Sequence, residues 1–142
     1  MYLNRSTDIS LRILMLGATH DDLLTIDELA ESLVVPRHHL AKVVQRLQHL
    51  GLLETIRGRS GGVRLAATAR TASIGGLVRE LEGGTEVVEC DGDPICPLSR
   101  SCLLRGALRR AQEAFYASLD PLTVGDLAAP PTRQVLLSLG RH

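Results

Sequence analysis

The chain predicts a mainly α fold: a winged helix-turn-helix with a two-stranded wing, followed by a long C-terminal dimerisation helix. Three observations point there. Residues 25–50 give a short capped helix, a break and then a basic helix; a Gly- and Arg-rich turn, RGRSGG over residues 57–62, follows directly; and residues 103–119 carry a long Ala- and Leu-rich helical stripe. Each piece alone is as readily a solvated helix face or an ordinary hairpin, but in that order they are far more specific.

Residues 7–19 follow a Ser6/Thr7 cap and set Ile9, Ile13, Leu14 and Leu16 at helical spacing. A second, short helix opens at Thr25 with Glu28 in capping-box register and buries Ile26, Leu29, Ala30 and Leu33. Val34, Val35 and Pro36 break the chain. Residues 37–50 then place Leu40, Val43, Val44, Leu47 and Leu50 on one stripe, and Gly51 closes the helix. Its opposite face offers Arg37, His38, His39, Lys42, Gln45 and Arg46, a mixture of phosphate binders and base-edge readers suited to a major groove. Residues 52–56 and 63–66 read as two strands whose tip carries Arg57 and Arg59; such tips enter narrow minor grooves, where the potential is most negative. A connecting helix over 71–83 follows, with Gly75 and Gly76 weakening its start. The helix over 103–119 aligns Leu104, Ala107, Leu108, Ala111, Phe115 and Ser118, a stripe that invites close pairing with a second copy. Residues 130–140 add a short apolar tail, expected to dock on the partner. The organisation is therefore a DNA-binding domain over 1–70, a connecting helix over 71–89, a cysteine loop over 90–102, and a dimerisation helix and tail over 103–142.

Composition bounds the rest. With 142 residues, 44% of them hydrophobic, the chain suits one compact domain with an appended dimerising element. The aromatics are Tyr2, Phe115 and Tyr116, so Leu, Val, Ile and Ala must build the core, which favours helices. The N-terminus has early charges and no signal-like apolar run, and no stretch approaches the roughly 18 apolar residues of a membrane span. The expectation is a soluble cytoplasmic protein with no membrane partner. Net charge is zero but uneven: residues 1–33 carry net −4 and residues 34–65 net +5, which suggests an anionic partner for the basic block.

Cys90, Cys96 and Cys102 are the only cysteines, at equal C-x5-C-x5-C spacing in a turn-rich stretch. An odd count argues against a disulfide framework and for one shared metal centre. Cys102 precedes a helix, whose N-terminal partial charge favours the thiolate that binds metal. Soft thiolates select zinc or iron-sulfur clusters; the close C-x2-4-C pairs of zinc sites are missing, so iron-sulfur leads. Three inert buried thiols are the bland alternative. A fourth ligand must come from elsewhere, since His20, His38, His39, His49 and His142 all lie far from the loop in sequence. No substrate-cofactor motif such as GxGxxG accompanies the cysteines, so the reading is not an enzyme; a redox carrier is the rival from another class.

Residues 36–65, with their Pro, their Leu-x-Lys pattern and the RGRSGG turn, together with the C-x5-C-x5-C run before a long helix, resemble the NsrR/IscR group of iron-sulfur transcription regulators, the Rrf-two family. Residues 77–98 and 111–127 look most like its nitric-oxide-sensing repressors. The resemblance implies a homodimer on palindromic double-stranded promoter DNA, holding one cluster per subunit, 4Fe-4S with 2Fe-2S as the alternative. It implies ligation by Cys90, Cys96 and Cys102, and a fourth ligand that varies. Members similar to IscR use a His just after the third Cys, and residues 103–110 contain none. The nitric-oxide sensors instead use an N-terminal Asp of the other subunit, which Thr7-Asp8-Ile9 matches, pointing to Asp8. Arg12, one turn on, is placed to hold Asp8. The implied function is a repressor released by nitric oxide; a sensor of iron, redox state or cluster supply shares every motif except the fourth ligand.

Overall fold

The computed structural model describes residues 2–139; Met1 and residues 140–142, including His142 and the end of the predicted tail, lie outside the described residues. Helix α1 (Arg5–Thr19) starts earlier than its apolar spacing predicts, because Asn4 caps it: the Asn4 side-chain oxygen accepts from the Ser6 N–H at 2.8 Å. Thr7 and Ser10 lie inside the helix and are buried, so their hydroxyls need partners. Thr7 donates to Glu82 at 3.1 Å and Ser10 to the Ser6 carbonyl at 2.6 Å.

Helix α2 (Ile26–Leu33) has the capping box that Thr25 and Glu28 predict, each side chain bonding the other's backbone N–H, at 3.1 and 2.8 Å. Val34 takes a left-handed φ of 55°, and Val35 N–H returns to the Ala30 carbonyl at 3.0 Å. This sharp turn sets off helix α3 (Arg37–His49), which begins after Pro36 and buries Leu40, Val43, Val44 and Leu47. Past α3, Gly51 adopts φ 76° while Leu52 N–H bonds the Leu47 carbonyl at 2.9 Å. Strands β1 (Leu53–Ile56) and β2 (Gly62–Leu65) pair antiparallel, Leu53 opposite Leu65 and Ile56 opposite Gly62. A bridge between Leu24 and Val63 ties this wing to the helices.

The predicted helix over 71–83 is shorter in the structure. A 3-10 turn at Ala67–Thr71 comes first, extended backbone follows, and helix α4 (Ile74–Glu82) starts at a Ser73 cap whose hydroxyl accepts from Gly76 N–H at 3.2 Å. Gly75 has a packing reason: a Cβ there would lie 2.6 Å from the Tyr116 carbonyl oxygen. Helix α5 (Leu103–Leu119) spans the predicted residues. Two further helices, α6 (Val124–Leu127) and α7 (Thr132–Leu139), complete the described chain.

The tail, expected to dock on a partner, also packs within its own chain. Helix α7 packs on α1 of its own chain, with Leu136 buried, the Ser32 hydroxyl donating to the Leu139 carbonyl at 2.7 Å and His20 Nε2 lying 3.2 Å from the Leu136 carbonyl. One apolar core runs from Ile13, Leu14, Leu40 and Leu47 through Val78 and Leu81 to Val124 and Leu136. Each such fully buried side chain contributes about 1.5–3 kcal/mol. Helix α5 takes little part: among its residues only Tyr116 is buried, while Leu103 is 93% and Leu104 64% exposed. Among the described residues no helix is long and apolar enough to cross a membrane.

Candidate metal centre and nucleic-acid interface

Gly83 and Gly84, both at positive φ, end α4 and release the chain into a loop that reaches to Cys102. The loop folds on its own backbone: Cys96 N–H bonds the Cys90 carbonyl at 3.0 Å, Ser99 N–H the Cys96 carbonyl at 3.0 Å, and Ser101 N–H the Leu98 carbonyl at 3.1 Å. All three cysteines are free thiols; Cys90 is buried, Cys96 and Cys102 half-buried. Cys102 caps α5, its sulfur accepting from Arg105 N–H at 3.4 Å. Three soft donors on one short loop suit a soft metal such as iron in a cluster. Within this single chain, however, no three His, Cys, Asp or Glu side chains among the described residues gather into a metal-holding set.

What organises the loop is Arg105, which the sequence reading did not single out. Its guanidinium, 14% exposed, donates to Glu86 at 2.8 and 3.3 Å, to Asp91 at 2.6 and 3.4 Å and to the Ser99 carbonyl at 3.4 Å. Arg109 also bonds Glu86. Hydrogen bonds from Arg105, then Arg109, lower the Glu86 pKa to about 2, and the bonds to Glu86 and Asp91 raise that of Arg105. Glu86 and Arg105 are 19 residues apart, and no periodicity links them.

Asp8 and Arg12 meet as their one-turn spacing predicts, through two bonds of 2.9 Å, both side chains about half exposed. Asp8 lies on the first turn of α1, where the dipole already favours a carboxylate.

The structure sorts the cations of α3. Arg37, His38, Lys42, Gln45 and Arg46 are exposed. Arg37 pairs with Asp27 at 2.6 Å, and half-buried His39 turns back to Ser6, with Nε2 at 3.3 Å from its hydroxyl. The guanidinium of Arg46 is bonded to carbonyls of α4. Arg5, which the sequence reading did not place on this surface, shares an open hollow with Pro36, His38, His39 and Lys42 and extends the basic face. On the wing, Arg64 pairs with Glu54 across the strands at 3.0 Å, leaving Arg57 and Arg59 exposed at the tip. Gly58 sits at φ 112° and Gly61 has no room for a Cβ, which would lie 2.8 Å from the Gly58 carbonyl oxygen.

Residues 3–130 match the model of the Rrf2 family, described as an iron-dependent transcriptional regulator. The chain is 56% identical over 142 residues to the HTH-type transcriptional repressor NsrR of Streptomyces coelicolor, covering 98% of this chain and 96% of that protein. It is 40% identical to the HTH-type transcriptional regulator NsrR of Bacillus subtilis, over 89% of this chain and 90% of that one. Among solved structures, T. potens IscR superposes with a TM-score of 0.69 at 19% identity, over 89% of this chain and 85% of that one. Oxidised Staphylococcus aureus CymR superposes with a TM-score of 0.67 at 23% identity, over 90% and 96%. These two likenesses concern the fold alone.

Proposed function

The chain belongs to the Rrf2 family of transcriptional regulators, and on that premise we propose that it is a nitric-oxide-responsive repressor that grips palindromic promoter DNA as a homodimer. The observation that carries the reading is the loop of three free cysteines set between α4 and α5 of a winged-helix chain. Cys90, Cys96 and Cys102 would hold an iron-sulfur cluster, 4Fe-4S or alternatively 2Fe-2S, one per subunit. Asp8, supplied across the dimer, provides the fourth ligand. The cluster supplies iron that reacts with nitric oxide.

The chain's own residues do the remaining work. Arg105 keeps Glu86, Asp91 and the Ser99 carbonyl in one place, which fixes parts of the chain on either side of Cys90 and Cys96. A carboxylate is a harder, weaker ligand for iron than a thiolate, which leaves the Asp8 position the most replaceable. Without an iron bond, Asp8 would rest on its Arg12 pair, and the hold of one subunit on the other would loosen, changing the spacing of the two α3 helices. Coupling of this kind is typically about 1–3 kcal/mol, or roughly 5–150-fold in affinity.

The test is anaerobic purification with absorbance, iron and sulfide analysis, then DNA binding before and after nitric oxide or oxygen. Holo-protein should bind more tightly than apo-protein and lose affinity on nitric oxide. Equal binding by the two forms rejects the sensor; release by oxygen or iron depletion without release by nitric oxide assigns an iron- or redox-sensing regulator instead. Replacing Cys90, Cys96 or Cys102 by Ala should abolish the visible absorbance in each case, and a Cys96→Ala protein that keeps a full cluster rejects the ligand set.

A further inference from the structure

Arg46 lies on the helix that reads DNA, yet its guanidinium is bonded internally. Nη1 donates to the Leu81 carbonyl at 3.1 Å and Nη2 to the Glu80 carbonyl at 3.2 Å. Both carbonyls belong to the last turn of α4, where helix geometry leaves oxygens without partners and concentrates partial negative charge. Glu82, the last residue of α4, accepts from Asn4 N–H at 2.9 Å and from the Thr7 hydroxyl at 3.1 Å, at the amino end of α1. That end carries the complementary partial charge. One helix end therefore holds both α3 and the start of α1, and from it the chain passes through Gly83 and Gly84 to Glu86, which Arg105 anchors in the cysteine loop.

We propose that Arg46 is a positioning residue and not a DNA contact: together with Glu82 it fastens the recognition helix and the start of α1 to the end of α4 that leads into the cysteine loop. A shift of the loop then moves α4's end, and α3 moves with it. The two carbonyls hold the guanidinium against α4 through two of its five N–H donors, although Arg46, like His38 and Lys42, is exposed. The inference rests on the DNA-binding reading above but predicts a different signature from a phosphate contact.

The experiment uses the full-length protein and a promoter duplex that the wild type binds. Arg46→Ala should weaken binding by at least about fivefold, the low end of coupling between linked sites. Its log-log salt slope should stay at the wild-type value, because no phosphate is released from the interface; giving one up would flatten the slope by roughly 0.9. The ratio of holo to apo affinity should fall toward one. Arg46→Lys, which keeps a cation at the end of α4, should recover part of both losses. Without DNA, amide exchange in segments 2–8 and 80–86 should quicken in Arg46→Ala and in Glu82→Gln, and no further in the double variant. A flattened slope makes Arg46 a phosphate contact and overturns the proposal, as does unchanged affinity or unchanged exchange. If the wild type binds no duplex, the DNA reading itself fails, while the exchange result still decides whether the fastening exists.

Discussion

Asp8 and Glu86 are two carboxylates held by arginines, and they invite different tests. Asp8 is half exposed and, among the described residues, its side chain pairs with Arg12 alone, so as a mere helix-dipole partner its loss would cost about 0.3–1 kcal/mol and leave the cysteine loop untouched. As the fourth ligand it predicts more: Asp8→Ala should alter the spectrum or lifetime of the anaerobic cluster, and Asp8→Cys should give a more inert centre. Unchanged spectra, lifetimes and nitric-oxide response in both variants reject the assignment. Glu86 predicts a pH window. Its pKa falls from 4.5 to about 2 in the fold, so its stabilisation of the loop is complete above about 4.5 and is lost as pH drops toward 2. In cluster-free protein, amide protection of residues 86–102, taken relative to the intrinsic exchange rate at each pH, should be full at neutral pH and fall across that window, and Glu86→Gln should lack it throughout. An identical profile for the variant would remove Glu86 from the loop's support.

The wing and the long helix carry predictions of their own. Arg57 and Arg59 stand exposed at the wing tip, so replacing both by Ala should lower DNA affinity and flatten the salt slope by roughly one unit for each phosphate the tip no longer reaches. Equal binding by wild type and double variant takes the wing out of the interface. Gly61→Ala tests the turn itself, since the new Cβ would meet the Gly58 carbonyl oxygen at 2.8 Å and the tip must shift. Circular dichroism should show unchanged helix content while DNA affinity falls; unchanged affinity would mean that the tip is not shape-dependent.

For the whole molecule, the exposed stripe on α5 is the feature that a monomer leaves unexplained. Leu104 is 64% and Phe115 37% exposed on a helix whose one buried residue is Tyr116. Burying such a stripe against a second copy gives the two-fold arrangement that two recognition helices need. Leu104→Glu with Phe115→Glu should convert a dimer to monomer in sedimentation and abolish tight operator binding while the helices stay folded. The dimer should protect half-sites about 34–36 Å apart, or a multiple of that, in footprinting. A variant that stays dimeric moves the interface elsewhere.

Periodicity and capping chemistry, both local, were legible in the residue order: α2 with its Thr25/Glu28 box, the apolar stripe of α3, the glycine turn of the wing and the span of α5 all follow from them. Equal cysteine spacing likewise marked the loop. Local rules misjudged the start of α1, because Ser6 and Thr7 resemble caps until Glu82, 75 residues beyond Thr7, is seen to satisfy Thr7 inside the helix. They gave no sign that residues 132–139 pack within the chain, because only the assembled core reveals that Leu136 closes against α1. The same holds for function. A cation on a recognition helix looks like a DNA contact in one dimension; tertiary structure decided that Arg46 meets α4 and that Arg105 gathers Glu86, Asp91 and Ser99, because partners 6 to 35 residues apart leave no periodic trace.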